Sequence, residues 1–159
     1  MIKATFSLRS YVGDDYRTVA EVYRDAVETL ARSAYSEEQV RMWASYPASG
    51  GDFEERLARG GVIVAEVGGA VVAFGQLEPV DHVAFLYCQG AFARRGLASA
   101  IYAEMEMRAR AAGAKELRTE ASRISRLFFE RQGFAVTEVE QSVRLGVTFE
   151  RFKMRKVLG

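Results

Sequence analysis

The fold of this chain is decided by residues 82–113, which read HVAFLYCQGAFARRGLASAIYAEMEMRARAAG. The first seven of these residues are apolar enough for a strand that is buried on both faces. Beyond the turn, apolar residues recur at spacings of three and four, which is typical of an amphipathic helix: Leu97, Ile101, Met105, Ala109 and Ala112. The stretch therefore predicts a strand, a tight turn and a long helix.

The turn itself has the chemistry of a phosphate site. Arg94 and Arg95 come directly before Gly96, at the start of the predicted helix. A helix N-terminus presents unpaired N–H groups and the positive end of the helix dipole, so it suits a phosphate group. A side chain at Gly96 would obstruct the approach of a phosphate to those groups. The same short pattern also fits a glycine that only begins a helix.

Length and composition narrow the class of protein. A chain of 159 residues with 49% apolar and 27% charged residues fits one globular domain, spanning residues 1–159. The 22 basic residues nearly balance the 21 acidic ones, so we expect neither nucleic acid nor a membrane as a partner. A single cysteine and a single histidine argue against a disulfide framework and a metal site.

The N-terminal sequence bears on localisation. Residues 1–6 lack the apolar core of a signal peptide. No run in the chain approaches the roughly 18 apolar residues that a membrane-spanning helix needs. We therefore expect a cytoplasmic protein.

Local signals predict the elements that precede the central strand. Residues 3–11 are expected to form a first strand, followed by a helix that Asp14 or Asp15 caps. Ser36 and Gln39 have the spacing of a capping box. Further signals predict a second capped helix and a hairpin: Asp52 with Glu55, and Gly68 with Gly69 between two β-rich runs.

Behind the long helix the chain alternates again between strand and helix patterns. The predicted elements are a short strand over residues 115–120, a helix that Gly133 ends, and two strands over residues 134–141 and 143–157. In the last strand the apolar phase changes between Phe149 and Phe152, so we expect a bulge or bend near residues 150–151.

This order of elements and two motifs resemble the GCN5-related N-acetyltransferase (GNAT) superfamily. Residues 93–98 correspond to its acyl-CoA pyrophosphate turn, a Gln or Arg followed by x-x-Gly-x-Gly/Ala. Residues 122–134 match its late helix, which ends in Gly-Phe. Residues 36–43 and 152–158 are similar to a poorly characterised bacterial branch of the superfamily.

The resemblance implies both a fold and a reaction. The fold is α/β (α+β), with a mixed, mostly antiparallel central sheet of six to seven strands flanked by helices. The reaction is transfer of the acetyl group of acetyl-CoA, a co-substrate, to a primary amine by direct attack in a ternary complex. The acceptor would be a small-molecule or peptide amine, and a homodimer is left open because Trp43, Tyr46, Phe149 and Phe152 suit either a dimer surface or the core.

The resemblance also assigns roles to particular residues. The pyrophosphate belongs to six consecutive residues: Arg94, Arg95, Gly96, Leu97, Ala98 and Ser99. The acyl-pantetheine arm lies against the central strand and the late helix: Leu86, Tyr87, Cys88, Ser122 and Phe129. The N–H of Cys88 would polarise the thioester carbonyl as an oxyanion donor. Its thiol is expected to be a small buried hydrophobe rather than a nucleophile.

Two departures from the family pattern weaken the catalytic expectation. Ala93 replaces the usual Gln or Arg, for which Arg94 or Arg95 could compensate. Phe129 stands where the family carries a tyrosine that protonates the departing thiolate. Because a thiol has a pKa of about 8.5, loss of that acid need not abolish turnover. The alternative is a catalytically impaired CoA-binding or interaction domain.

The attacking amine needs a base, since an alkylamine with a pKa near 10 is mostly protonated at neutral pH. His82, Glu78 and Asp81 lie at the start of the central strand, where a base acting through water would sit. The reference pKa of a histidine side chain such as His82 is suitable for a base that acts near neutral pH. An equally good interpretation is a histidine at the edge of a strand whose ring nitrogens form hydrogen bonds with a neighbouring group or with solvent.

Overall fold

The computed structural model describes residues 5–159. It contains seven strands: β1 (Ser7–Ser10), β2 (Val62–Val67), β3 (Ala70–Leu77), β4 (His82–Cys88), β5 (Glu116–Ala121), β6 (Ala135–Arg144) and β7 (Val147–Val157). They form one sheet in the order β1-β2-β3-β4-β5-β7-β6. Within the described residues only β4 and β5 pair in parallel, which confirms the mostly antiparallel α/β fold. The first strand is shorter than predicted, and residues 3 and 4 of that prediction lie outside the described residues.

Helices cover both faces of the sheet. They are α1 (Tyr16–Leu30), α2 (Glu37–Ala44), α3 (Asp52–Ala58), α4 (Leu97–Ala111) and α5 (Arg126–Arg131). The first three pack on one face, with Tyr23 and Phe53 at the centre of that cluster. The last two pack on the other face around Ile101, Met105 and Phe129. Each fully buried large side chain contributes about 1.5–3 kcal/mol. No helix in residues 5–159 is both long and apolar enough to cross a bilayer.

Two local sequence signals are confirmed in atomic detail. At the start of α2 the Ser36 hydroxyl accepts the Gln39 N–H at 3.1 Å, and the Gln39 side-chain oxygen accepts the Ser36 N–H at 2.9 Å. Between β2 and β3, Gly68 and Gly69 have φ angles of +58° and +83°. Positive φ at both positions is what a tight two-residue hairpin turn requires.

Two predicted caps are wrong because their carboxylates have other partners. Asp15 accepts the Val12 N–H at 2.8 Å and forms an ion pair with Arg9 at 2.8 Å, so it does not cap α1. Asp52 begins α3 without capping it and accepts a hydrogen bond from the Tyr46 hydroxyl. The Asp15 carboxylate is bound by Arg9 and by an N–H group that precedes α1, and the Asp52 carboxylate by a tyrosine hydroxyl, so neither is bound to the first turn of its helix.

The predicted bend in β7 is also wrong. Glu150 and Arg151 pair with β6 in unbroken register, and the irregularity lies in β6 between Val136 and Glu138. The apolar phase changes because Phe149 packs on the face that α1 and α2 cover. Phe152 packs on the opposite face, with α4 and α5. A regular strand that buries different faces at its two ends gives the same pattern as a bulged one.

The adjacent glycines between α3 and β2 provide a matched test of packing. Gly60 and Gly61 both have positive φ, +102° and +74°. A Cβ on Gly61 would lie 1.9 Å from the Leu77 carbonyl oxygen, whereas a Cβ on Gly60 would meet nothing within 4 Å. Both alanine variants therefore carry left-handed strain, but only Gly61→Ala is overpacked. We expect Gly61→Ala to lower the free energy of unfolding by about 1–3 kcal/mol more than Gly60→Ala. Equal losses in urea titrations would contradict this packing.

Candidate active site

The two parallel strands separate shortly after they meet. The ladder between β4 and β5 joins His82 to Arg118 and Val83 to Thr119, and no further pair follows within the described residues. At its end the Thr119 hydroxyl donates to the Val83 carbonyl oxygen at 2.9 Å. We call the region beyond this contact the β4–β5 gap. The separation leaves one edge of β4 free of strand pairing.

A bulge in β4 marks the start of the gap. On the β3 side, Phe85 pairs with Gln76 and Val83 with Leu77, so Ala84 is an extra residue. A bulge of this kind re-aims the residues on either side of it. Here Val83 belongs to the α4–α5 face, while Ala84 and Phe85 both belong to the α1–α3 face.

The bulge also decides which N–H groups face the gap. Gln89 donates its N–H to the Val72 carbonyl oxygen at 2.8 Å, on the β3 side. Because N–H groups alternate between the two edges of a strand, those of Leu86 and Cys88 point away from β3. Both groups therefore face the β4–β5 gap, where a ligand can reach them.

A cavity of about 290 Å³ lies at the gap. It is walled by α1, α2, β4, the end of β5, the start of α5 and the β6–β7 hairpin. Five of the residues assigned to the acyl-pantetheine arm line it: Leu86, Tyr87, Cys88, Ser122 and Phe129. The structure thus brings together residues from two distant segments of the chain that the resemblance had linked.

The turn before α4 and the first residues of that helix have unpaired N–H donors, and Arg94, Arg95 and Gly96 in the turn are exposed. Gly96 has φ +87°, and Arg94 has φ +62°, an uncommon value for a residue with a side chain. Within residues 5–159, no acceptor binds the N–H groups of residues 94–99, and α4 has no side-chain cap. A Cβ on Gly96 would meet no protein atom within 4 Å, so the space above these groups is open. Six N–H groups at the positive end of α4 can therefore receive an anion.

The side chain of Cys88 is a poor nucleophile. Burial, together with the negative charge of Asp25, raises the pKa of its thiol to about 11. The thiol is therefore protonated at neutral pH, and the thiolate is the nucleophilic form. This environment supports the interpretation of Cys88 as a small hydrophobe.

The histidine at the start of β4 is held by two oxygen acceptors. His82 Nε2 lies 2.9 Å from Glu120 Oε1, and its Nδ1 lies 3.2 Å from the Glu78 carbonyl oxygen. Neither His82 nor Glu78 lines the cavity, whereas Glu120 does. The hydrogen bond from His82 lowers the pKa of the Glu120 carboxyl below its usual value. Sequence reasoning missed Glu120, because its side-chain contact with His82 depends on the register of β4 with β5.

The start of α5 presents hydroxyl groups where Phe129 offers none. Phe129 is buried and packs edge-on against Tyr102 and Phe134. Ser122 and Ser125 both line the cavity, with their hydroxyl oxygens 3.1 Å apart. The Tyr102 hydroxyl donates to Glu106 at 2.7 Å and lies outside the cavity wall. Ser125 is a second residue that sequence reasoning missed.

The aromatic residues that left a homodimer open lie within the fold. Tyr46 and Phe152 are buried. Trp43 and Phe149 line the cavity beside Tyr35. Packing in the core and in the cavity wall therefore accounts for these four aromatic residues without a second subunit. Within the described residues, no cluster of His, Cys, Asp or Glu is arranged to hold a metal ion.

Comparisons with known proteins agree with this geometry. A family model described as "Acetyltransferase (GNAT) domain" matches residues 31–158. The chain is 29% identical over 149 residues to the uncharacterized N-acetyltransferase YafP of Escherichia coli (strain K12), covering 93% of each chain. It superposes with TM-score 0.94 and 28% identity on a GCN5-related N-acetyltransferase crystal structure from Rhodopseudomonas palustris, covering 99% of both chains. A PaiA N-acetyltransferase from Thermoplasma acidophilum, in complex with coenzyme A, superposes with TM-score 0.74 and 18% identity over 96% of this chain and 99% of its own.

The sheet that opens between β4 and β5 and the uncapped turn before α4 define an acyl-CoA N-acyltransferase fold. The family match extends over most of the chain. The chain therefore belongs to the GNAT acetyltransferases, as the resemblance predicted. It is an acyl-CoA-dependent N-acetyltransferase, and acetyl-CoA is its co-substrate.

The environment of Cys88 predicts slow chemical labelling. With a thiol pKa of about 11 against an ordinary value of 9.0, the thiolate fraction at neutral pH falls about 100-fold. Iodoacetamide should therefore modify the native protein far more slowly than the urea-unfolded protein, and the rate should rise steadily above pH 9. Because the chain has one cysteine, the mass increase reports this site alone. Equal rates in the native and unfolded states would contradict the assignment.

Proposed function

We propose that the protein transfers the acetyl group of acetyl-CoA to the primary amine of a small molecule or peptide, by direct attack in a ternary complex. The observation that carries this proposal is the edge of β4 in the β4–β5 gap. There the N–H groups of Leu86 and Cys88 face a cavity that also has room for an acceptor. The protonated Cys88 thiol favours direct attack over a covalent acyl-enzyme.

The turn before α4 is proposed to hold the pyrophosphate. Its unpaired N–H groups, including those of Leu97, Ala98 and Ser99, converge at the positive end of a 15-residue helix. The guanidinium groups of Arg94 and Arg95 form no ion pair within the described residues, so both are available to a phosphate. Two flexible cations beside the turn would offset the contact that Ala93 cannot make.

The N–H of Cys88 is proposed to stabilise the oxyanion that forms as the amine attacks. A backbone donor is held by the strand and needs no reorganisation during the reaction. Removal of one such donor in other enzymes costs about 2.7–4 kcal/mol of transition-state stabilisation. The bulge at Ala84 is what aims this donor at the gap rather than at β3.

Glu120 is proposed as the base, with His82 as a positioning residue. The Glu120 carboxylate lines the cavity and stays ionised because its pKa is lowered. His82 does not line the cavity, and its ring nitrogens lie against the Glu120 carboxylate and the Glu78 carbonyl oxygen, so we assign it to orienting Glu120. Glu78 takes part through its carbonyl oxygen, which fixes the other side of that ring. The proton released by the amine would pass to Glu120 directly or through a water molecule.

The leaving thiolate is proposed to meet the hydroxyl groups of Ser122 and Ser125. The two hydroxyl groups share one hydrogen bond at 3.1 Å, which leaves the second proton of the pair to point into the cavity. Phe129 would supply an apolar wall for the pantetheine arm. A thiolate needs little help in leaving, so hydrogen bonding here can replace protonation by a tyrosine.

Gly96 and Gly113, near the two ends of α4, allow a matched test of the phosphate site. Both have positive φ, +87° and +83°, and a Cβ on either would meet nothing within 4 Å. The valine variants therefore carry similar backbone strain, but only Gly96→Val blocks the unpaired N–H groups. We expect Gly96→Val to weaken acetyl-CoA binding at least about tenfold, as the loss of one or two charge-assisted hydrogen bonds would. Isothermal calorimetry should give Gly113→Val the parent affinity.

The alternative of a domain that binds CoA without catalysis is tested by turnover. A screen of primary amines would monitor release of the CoA thiol from acetyl-CoA. Acetyl-CoA binding with no thiol release for any amine would favour the impaired domain and contradict the proposed transfer. Acetyl-CoA binding that survives Gly96→Val unchanged would instead contradict the phosphate site.

Glu120→Gln tests the base. We expect kcat to fall by roughly 10²–10⁴-fold with little change in acetyl-CoA affinity. Glu116→Gln, on the same strand but outside the cavity wall, should leave kcat near the parent value. An unaffected kcat in Glu120→Gln would remove Glu120 from the mechanism.

The pH profile separates Glu120 from His82. Because the hydrogen bond from His82 lowers the pKa of Glu120, His82→Gln should raise that pKa. The carboxylate would then become protonated at a higher pH, and the acidic limb of kcat/KM should move upward. If His82 were itself the base, its removal would abolish that limb rather than move it.

A further inference from the structure

Two arginines line the cavity without a carboxylate partner. Arg56 lies on α3 and Arg144 at the end of β6, and both belong to the cavity wall. Across residues 5–159 neither forms an ion pair, and residues 1–4 contain no acidic side chain. Of the other charged groups of the wall, Arg151 forms an ion pair with Glu140 and Glu150 with Arg123, while Glu120 is hydrogen-bonded to His82.

The two guanidinium groups gather around one set of aromatic residues. Arg56 Nη1 donates to the Tyr46 hydroxyl at 3.2 Å. The guanidinium carbon of Arg144 lies 4.7 Å from the centre of the Tyr46 ring. Burial raises the pKa of Tyr87, while the hydrogen bond from Trp43 and the charges of both arginines act in the opposite direction. Arg56 therefore lies at the Tyr46 hydroxyl, and Arg144 lies over the face of the same ring.

We call this part of the cavity, lined by Tyr23, Trp43, Tyr46, Tyr87 and Phe149, the acceptor side. The faces of these aromatic rings suit the apolar part of an acceptor molecule. Aromatic faces also attract ammonium groups, which would suit a polycationic amine. Asp52 reaches this place only through the Tyr46 hydroxyl and forms no ion pair with either arginine within the described residues, so the two guanidinium groups repel such a ligand and attract an anion. The charge distribution therefore favours an acceptor with a negative group.

We propose that the acceptor is a small primary amine that carries a carboxylate, which Arg144 and Arg56 bind while the rings hold its apolar body. This inference rests on the proposed transfer at the same cavity. The cavity volume of about 290 Å³ is shared with the reacting end of acetyl-CoA, so the acceptor is a small molecule. Arginine suits the role because its planar fork binds a carboxylate through two parallel hydrogen bonds.

The position of the arginines sets the distance between the two groups of the acceptor. Tyr87 precedes Cys88, whose N–H is the proposed oxyanion donor. The guanidinium carbon of Arg56 lies 4.6 Å from the centre of the Phe85 ring, so it is held about one aromatic side chain away from the backbone of β4. The amine and the carboxylate should therefore be separated by about the length of a benzene ring, as in 4-(aminomethyl)benzoate.

A matched pair of ligands tests the carboxylate. The probes are 4-(aminomethyl)benzoate and its neutral amide, 4-(aminomethyl)benzamide, titrated into the CoA-loaded protein by calorimetry. L-Phenylalanine and L-phenylalaninamide form a second pair with both groups on one carbon, and 1,4-diaminobutane represents a dication. We expect the acid of at least one pair to bind about tenfold or more tightly than its amide, because charge-assisted hydrogen bonds are lost in the amide.

Variants connect that preference to the arginines. Arg144→Gln should remove most of the preference for the acid while leaving CoA affinity unchanged. Arg59→Gln, which replaces an exposed arginine just past α3 and outside the cavity wall, should keep it. Arg144→Glu should reverse the charge preference, so that this variant binds 1,4-diaminobutane more tightly than either acid. Because Arg144 is exposed on the hairpin, these changes leave the core intact.

The outcomes separate this inference from the proposed function. Equal binding of acid and amide in both pairs, or an acid preference that Arg144→Gln leaves intact, would overturn the carboxylate site. Tight binding of 1,4-diaminobutane to the parent protein would overturn it in favour of a polyamine acceptor. Carboxylate-dependent binding without release of CoA thiol from acetyl-CoA would support the site and contradict the proposed transfer.

Discussion

The hydrogen bond from the Thr119 hydroxyl to the Val83 carbonyl oxygen lies at the last pair of residues that joins β4 to β5 in the sheet. The free N–H groups of β4 and the cavity beside them both depend on the separation of the two strands beyond this pair. A fully paired β4 would have no free N–H group and no space beside it, because strands in a sheet lie about 4.8 Å apart. The bulge at Ala84 acts at the same point and turns the N–H groups of Leu86 and Cys88 toward the opening.

The opening explains why the cavity has two chemically different parts. On one side, the unpaired edge of β4 and the uncapped start of α4 supply N–H donors, which suit the carbonyl and phosphate oxygens of acetyl-CoA. On the other, α1, α2, α3 and the β6–β7 hairpin supply aromatic rings and the two unneutralised arginines, Arg56 and Arg144. Glu120 and His82 lie where β5 leaves β4, between these parts. The separation of β4 from β5 thus arranges the N–H donors, the proposed base and the residues that would bind the acceptor amine.

Sequence reasoning succeeded for most local signals, with the two carboxylate caps as exceptions, and failed where a contact depended on register. The strand over residues 82–88 and the glycine turn before α4 follow from apolar runs, helical spacing and Gly96. Glu120 went unnoticed because only the pairing of β4 with β5 brings it to His82. Arg56 lies 88 residues from Arg144, and nothing in either segment indicates that they share a cavity. The prediction of a bend in β7 was wrong for a related reason, since the periodicity of apolar residues does not say which face of a strand is buried.

Amide hydrogen exchange along β4 tests the central role of the β4–β5 gap most directly. In the free protein, Phe85, Tyr87 and Gln89 should be protected by β3, while Leu86 and Cys88 should exchange much faster. Acetyl-CoA should then protect Leu86 and Cys88 selectively. Equal protection of all five amides in the free protein, or no change at Leu86 and Cys88 when acetyl-CoA is bound, would contradict the account.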